Sequence, residues 1–196
     1  MVNPGMLQSP SVQKWLGGVE PAWTLLDLDS FSQLRSPPSS NASAIQLAPD
    51  LTENEFQLSA ITKSTLGFLE AASKTPGLKL TATGNLSRAV VADMCDIFDW
   101  PDFNKEERFR LNKVINETDF LPLFFVRHVS QFAKLVHRRQ GYMKVTSAGR
   151  SILEHREALQ AVLFHTAFWN MDLGDLGRGL HSGWPQGDIG VGLWSL

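Results

Sequence analysis

Six side chains between positions 127 and 144 combine the chemistry and spacing needed to hold a phosphate backbone. Arg127, Gln131 and Lys134 recur at intervals of four and three, the separation that brings side chains onto one face of a helix. Arg138, Arg139 and Lys144 flank Gln140-Gly141, a dipeptide suited to a tight turn between two strands. A polar helical stripe and a cationic hairpin would thus lie side by side, with guanidinium and ammonium groups donating to phosphate oxygens. The competing reading makes the same residues the solvated outside of a helix otherwise filled by Leu121, Phe124, Phe125, Val129, Phe132 and Val136.

Other reactive residue types lack the company that chemistry requires. The single cysteine, Cys95, lies beside Asp96 in an amphipathic stretch; a neighbouring carboxylate disfavours the reactive thiolate, so Cys95 reads as a packing residue. His128, His137, His155, His165 and His181 include no pair four apart on one helix, and no metal site is expected from them. Asp93, Asp96, Asp99 and Asp102 recur every third residue and read as a solvated acidic face. The run Gly174-Asp175-Leu176-Gly177-Arg178-Gly179 resembles a phosphate loop in composition but follows a helical stretch instead of a strand. No nucleophile stands with a base and no nucleotide fingerprint is present, so neither catalytic residues nor a cofactor are expected. Three Asn-x-Ser/Thr sequons, at Asn41, Asn85 and Asn116, matter only in a secreted protein.

The bulk properties bound where such a surface could act. The chain has 196 residues, 43% hydrophobic, with a net charge of −2, so no global positive field draws it to nucleic acid or anionic lipid. Charge is unevenly divided, however. Residues 105–156 hold eleven basic and five acidic side chains, whereas 1–56, 57–104 and 157–196 are each net acidic. A local cationic patch on a dipolar molecule follows. One cysteine, no leader-like start over 1–20 and no long apolar run point to a reducing, cytoplasmic setting with no membrane partner.

The elements that must position these residues are legible in outline. Six of the ten prolines precede Leu51, and 36–44 is rich in serine and proline, which reads as an arm or loosely draped linker. Thr52-Glu53-Asn54-Glu55 has capping-box spacing and should open a helix that runs through Leu58, Ile61, Phe68, Leu69 and Ala72 to Pro76-Gly77. A short strand, 78–81, comes next. A second amphipathic helix carries Leu86, Ala89, Val90, Met94, Ile97 and Phe98 and stops at Trp100-Pro101. Thr118 or Asp119 should cap a third helix that has Pro122 in its first turn and extends to about Leu135. A hairpin over 136–145 follows, and Thr146 offers its hydroxyl to another helix start. Residues 158–171 are apolar almost all round and should form a buried helix. Beyond them lie seven glycines over 174–192 and an apolar end, 189–196, that should dock, self-associate or continue into further chain. Trp169, Trp184 and Trp194 could anchor a partner or close a core; Trp169 is expected in the core, and for Trp194 an interface is an even choice.

The order helix, strand, helix, helix, hairpin resembles a winged helix, whose hairpin is the wing. The segment Gly141-Tyr142-Met143-Lys144-Val145-Thr146-Ser147-Ala148-Gly149-Arg150 looks like the wing exit of bacterial winged-helix proteins. Lys79-Leu80-Thr81-Ala82-Thr83-Gly84 repeats that Thr-x-x-Gly signal, consistent with a paired first strand or an old duplication. The stretch 78–196 also resembles uncharacterised bacterial domains related to plasmid-encoded ORF-three-like proteins, a family that implies no activity. The expected architecture is mainly α with a small β-hairpin: an arm over 1–50, a winged-helix-like domain over 51–156 and a helical extension over 157–196 packed on it. It implies a binding module for duplex DNA or a protein, or alternatively a structural domain of a larger bacterial protein that forms a homo-oligomer through its C-terminal segment.

Overall fold

A computed structural model describes residues 10, 13–14, 17–18, 25–48, 51–101, 103, 115–172 and 189–194. Asp102, the run 174–179, His181, Trp184 and most of the charged stretch 104–116 lie outside the described residues, as does the side chain of Trp194. The chain divides into two compact units, Met1–Gln46 with Ser182–Leu196, and Leu47–His181.

In the first unit, Asp27 opens helix α1, Leu28–Arg35, by accepting from the Ser30 amide at 2.8 Å. That bond, joined by one from the Ser30 hydroxyl, holds the Asp27 carboxyl below its ordinary range. The last helix of the chain, Ile189–Trp194, packs on α1, where Gly190 lets the two backbones meet against the Leu34 carbonyl.

The second unit begins with α2, Glu53–Leu58, whose Thr52/Glu55 capping box forms as the sequence predicts. The Thr52 hydroxyl and amide lower the Glu55 carboxyl below its ordinary range. The helix does not run on. Ser59 takes an extended conformation, ends α2 and caps α3, Ala60–Ser73, through its own hydroxyl. A serine that can satisfy exposed amides competes with helix continuation, and here the Ser59 hydroxyl also donates to Gln160 at 2.9 Å.

Strand β1, Leu78–Lys79, leads to α4, Arg88–Ile97, and then to a 3-10 turn over Glu117–Asp119. Helix α5, Leu121–Phe132, follows with Pro122 in its first turn. Its cap position is Phe120, which makes no side-chain bond, because Asn116 and Asp119 instead close a capping box around the 3-10 turn. The helix also stops before Leu135. Lys134 adopts a left-handed φ of 57°, the Leu135 amide reaches back to Ser130 O at 2.9 Å and the Lys134 amide to Gln131 O at 3.0 Å. These two bonds are a Schellman ending, which satisfies carbonyls that the last turn would otherwise leave bare.

Strands β2, Val136–Arg139, and β3, Tyr142–Val145, form the expected hairpin. Gln140 and Gly141 both have positive φ, 51° and 77°, the type I′ geometry whose twist matches two antiparallel strands. The sheet order is β1-β3-β2, all antiparallel. Thr146 then caps α6, Ser147–Glu154, by accepting from the Gly149 amide, while its hydroxyl donates to Lys134 O at 2.7 Å. The first Thr-x-x-Gly acts differently. Thr81 and Asn85 exchange bonds across a turn that joins Leu80 to Leu86 in a β-bridge, and the following helix starts later, with Ser87 at its cap position and no side-chain bond from it.

Helix α7, Leu159–His165, passes into a π turn, Thr166–Asn170. Leu159, Leu163, Ala167 and Met171 are buried, and Trp169 is half-buried. The described residues are mainly helical, with a small three-stranded antiparallel sheet. Helix α3 lies at the centre of the second unit, against α5, β3 and α6. Phe68 and Leu69 of α3 and Leu123, Val126 and Val129 of α5 share the core with Met143 and Leu159. Full burial of each such side chain contributes roughly 1.5–3 kcal/mol.

Candidate functional site

The six polar residues that the spacing groups together are distributed by the fold over three environments. Arg127 points inward and is 1% exposed. Its Nη1 donates to both carboxylate oxygens of Glu117, itself 2% exposed, its Nη2 donates to Gly84 O at 2.8 Å, and its Nε donates to Gln131 Oε1 at 3.2 Å. Glu117 in turn accepts from the Leu86 amide at 2.6 Å. One buried ion pair thus joins the 3-10 turn, the 81–86 turn and α5. A guanidinium with this many partners inside a low-dielectric interior is held by the protein and is not presented to a ligand.

Gln131 is half-buried beside it, and Lys134 has left the helix for the left-handed position beyond its end. The stripe expected at 127, 131 and 134 therefore does not form as a single outward row. The outward side of α5 is apolar instead: Leu121 is 54% and Phe132 47% exposed, with Phe124, Phe125 and His128 half-buried between them. The Phe124 and His128 rings stand 4.1 Å apart, and His128 Nδ1 lies 2.7 Å from Phe124 O.

The hairpin cations remain at the surface. Lys134, Arg138 and Arg139 are exposed and Lys144 is half-buried. Among the described residues none of the four is ion-paired with a carboxylate; the ion pairs join Lys63 to Asp99, Arg127 to Glu117, His155 to Glu157 and Arg156 to Glu53. Residues opposite one another on antiparallel strands share a face. The register Arg138↔Met143 and Arg139↔Tyr142 therefore sends Arg138 and Arg139 to opposite faces. Arg138 lies over the 81–86 turn, its guanidinium close to Gly84. Lys144 spans Tyr142, its Nζ 6.0 Å from the ring centre.

Cys95 is buried in the core, Asp93 and Asp96 are exposed on α4, and Asp99 is exposed just beyond its end. Among the described residues no group of three or more His, Cys, Asp or Glu side chains could hold a metal ion, and no helix is long and apolar enough to cross a membrane. Glu117, a residue outside the 127/131/134 spacing, is the one that holds Arg127 inward. Its signal in the sequence is faint: a carboxylate ten positions before the arginine, across a turn.

Residues 57–158 match the family model described as the Y4jL N-terminal domain, and the chain belongs to that family, an uncharacterised bacterial one. The matched span runs from α2 to the turn after α6, and so contains the sheet, the hairpin cations and the buried pair. The uncharacterised protein y4jL of Sinorhizobium fredii (strain NBRC 101917 / NGR234) is 34% identical over 82 residues, which are 42% of this chain and 37% of that protein. The similarity thus spans little more than a third of the relative's length. No solved structure matches the chain.

Proposed function

We propose that residues 51–156 act as a winged-helix-like binding module for duplex DNA in the bacterial cytoplasm, flanked by the arm 1–50 and by the extension 157–196. The element order of α3, β1, α4, α5, β2 and β3 supports the winged-helix reading, as does the pairing of β1 with β3 of the hairpin. The observation that carries the DNA reading is the group of exposed cations Lys134, Arg138 and Arg139, with Lys144 half-buried beside them, none ion-paired among the described residues on a chain whose net charge is −2. Such groups gain by replacing the counterions of phosphates. Arg127 and Gln131 serve this surface from inside, by fixing α5 against the 81–86 turn.

The test is fluorescence anisotropy with a labelled duplex over a range of salt. Binding should strengthen steeply as salt falls, and Arg138→Ala with Arg139→Ala should lower the slope of log affinity against log salt by at least about one. Undetectable binding at low salt overturns the DNA reading. A second reading, a structural domain of a larger protein that self-associates, is favoured by the exposed Leu193 in the last helix. It predicts a concentration-dependent mass in sedimentation that removal of 189–196 abolishes.

A further inference from the structure

The strand register shows a surface that residue spacing does not. Across the sheet, Lys79 of β1 pairs with Tyr142 of β3, which pairs with Arg139 of β2. One step along, Lys144 pairs with His137. These five side chains share the outer face, because Leu78, Met143, Val136 and Val145 take the opposite face and are buried. Neighbouring strands lie about 4.8 Å apart and alternate residues about 7 Å apart, so three permanent cations and a histidine occupy a patch about 10 Å wide. The three strands read LK, VHRR and YMKV and contain no carboxylate.

The patch is also built. Gly77, at φ 107°, adopts a backbone conformation that other residues rarely hold. A side chain there would come within 3.1 Å of Lys144 Cγ and within 2.6 Å of Met143 O. The missing side chain leaves room for Lys144 Cγ beside Gly77, and the Lys144 Nζ stands 6.0 Å from the centre of the Tyr142 ring. Arg139 and Lys144 are diagonal neighbours on adjacent strands, within reach of long side chains, so one phosphate can accept from both.

We propose that the module contacts duplex DNA through this outer sheet face, with Lys79 and His137 completing a phosphate-binding surface with Arg139 and Lys144, and that helix α5 stays out of the groove. The inference rests on the DNA reading above and adds which element makes the contact. A two-stranded ribbon fits the major groove as a helix does; β2 and β3 form such a ribbon, with Lys79 of β1 alongside to meet the flanking phosphates. Helix α5 is unsuited to that place, since its arginine is internal and its outward side carries Leu121 and Phe132.

The experiment uses the full chain, a labelled duplex and a labelled single strand of the same sequence. Lys79→Ala and Lys144→Ala should each lower the salt slope for duplex by about one, with unchanged thermal melts. Lys63→Ala, whose ammonium pairs with Asp99 and which is not part of the sheet, should keep the wild-type slope. If the duplex binds and both sheet variants keep the wild-type slope, the sheet face is overturned while the DNA reading stands. An equal loss in Lys63→Ala means bulk charge alone, and tighter binding of the single strand means a different ligand; either result overturns the inference. No duplex binding by the unaltered chain removes both readings.

Discussion

Replacing Arg127 with methionine separates an interior guanidinium from one that meets a ligand. The substitution keeps most of the length of the side chain and removes its charge. It leaves the Glu117 carboxylate, 2% exposed, with the Leu86 amide as its remaining donor, and it strips the Gly84 carbonyl of a 2.8 Å bond. Removing one member of a buried pair typically costs about 3–5 kcal/mol, because the partner remains charged in a medium that cannot solvate it. Against a total stability of about 5–15 kcal/mol for a domain, the melting temperature should fall by on the order of 10 °C or more. Glu117→Leu alone should cost a similar amount. The double variant Arg127→Met with Glu117→Leu should recover much of the loss, since two apolar side chains carry no desolvation penalty. Urea unfolding followed by circular dichroism gives all three free energies and the coupling between the sites. Measured well below its midpoint, Arg127→Met should also keep the wild-type salt slope for duplex. A stability loss under about 1 kcal/mol would refute the buried pair as a strut. A slope lowered by about one at unchanged stability would put the guanidinium on phosphate.

Two further changes test the hairpin and its exit. Gly149→Ala places a methyl group against the Leu135 carbonyl and the Val145 side chain; overpacking of about 1–3 kcal/mol should outweigh the helix preference for alanine, of about 1 kcal/mol, and lower the urea midpoint. Gln140→Asn keeps the left-handed φ of 51° with a residue that tolerates it better, and should raise stability by up to about 1 kcal/mol; a lowered midpoint would show that the Gln140 side chain contributes more than its backbone costs.

Local signals in the sequence located most elements because each rests on a few neighbouring residues. The Thr52/Glu55 box, the Thr146 cap and the Gln140-Gly141 turn all form where spacing places them. The departures occur where a second local device competes. Ser59 divides one expected helix because its hydroxyl caps the next one. Lys134 ends α5 early because a left-handed residue there lets two amides return to the last turn. The site was less legible for a different reason. Period alone says which residues share a face of a helix, but not which face turns inward, and that is decided for α5 by Glu117, ten residues away. Likewise, Lys79 joins Arg139 through a pairing between β1 and β3 that spans about sixty residues of sequence, a distance at which no motif operates.

The interior pair and the outer cations are mechanically linked. Glu117 holds the Leu86 amide, which closes the 81–86 turn, and the Leu80↔Leu86 bridge lies at the end of β1. That strand is what carries Lys79 to the side of Tyr142. Arg127 grips the Gly84 carbonyl from within the same turn while Arg138 lies across it from outside. A polar stripe expected to read a ligand is thereby used to brace the strand that completes the cationic sheet face. Burial of a charge is costly, and three elements meet at the buried pair: the 3-10 turn, the 81–86 turn and α5. Here the element so fixed is the short β1, two residues long, which has little pairing of its own to hold it in register.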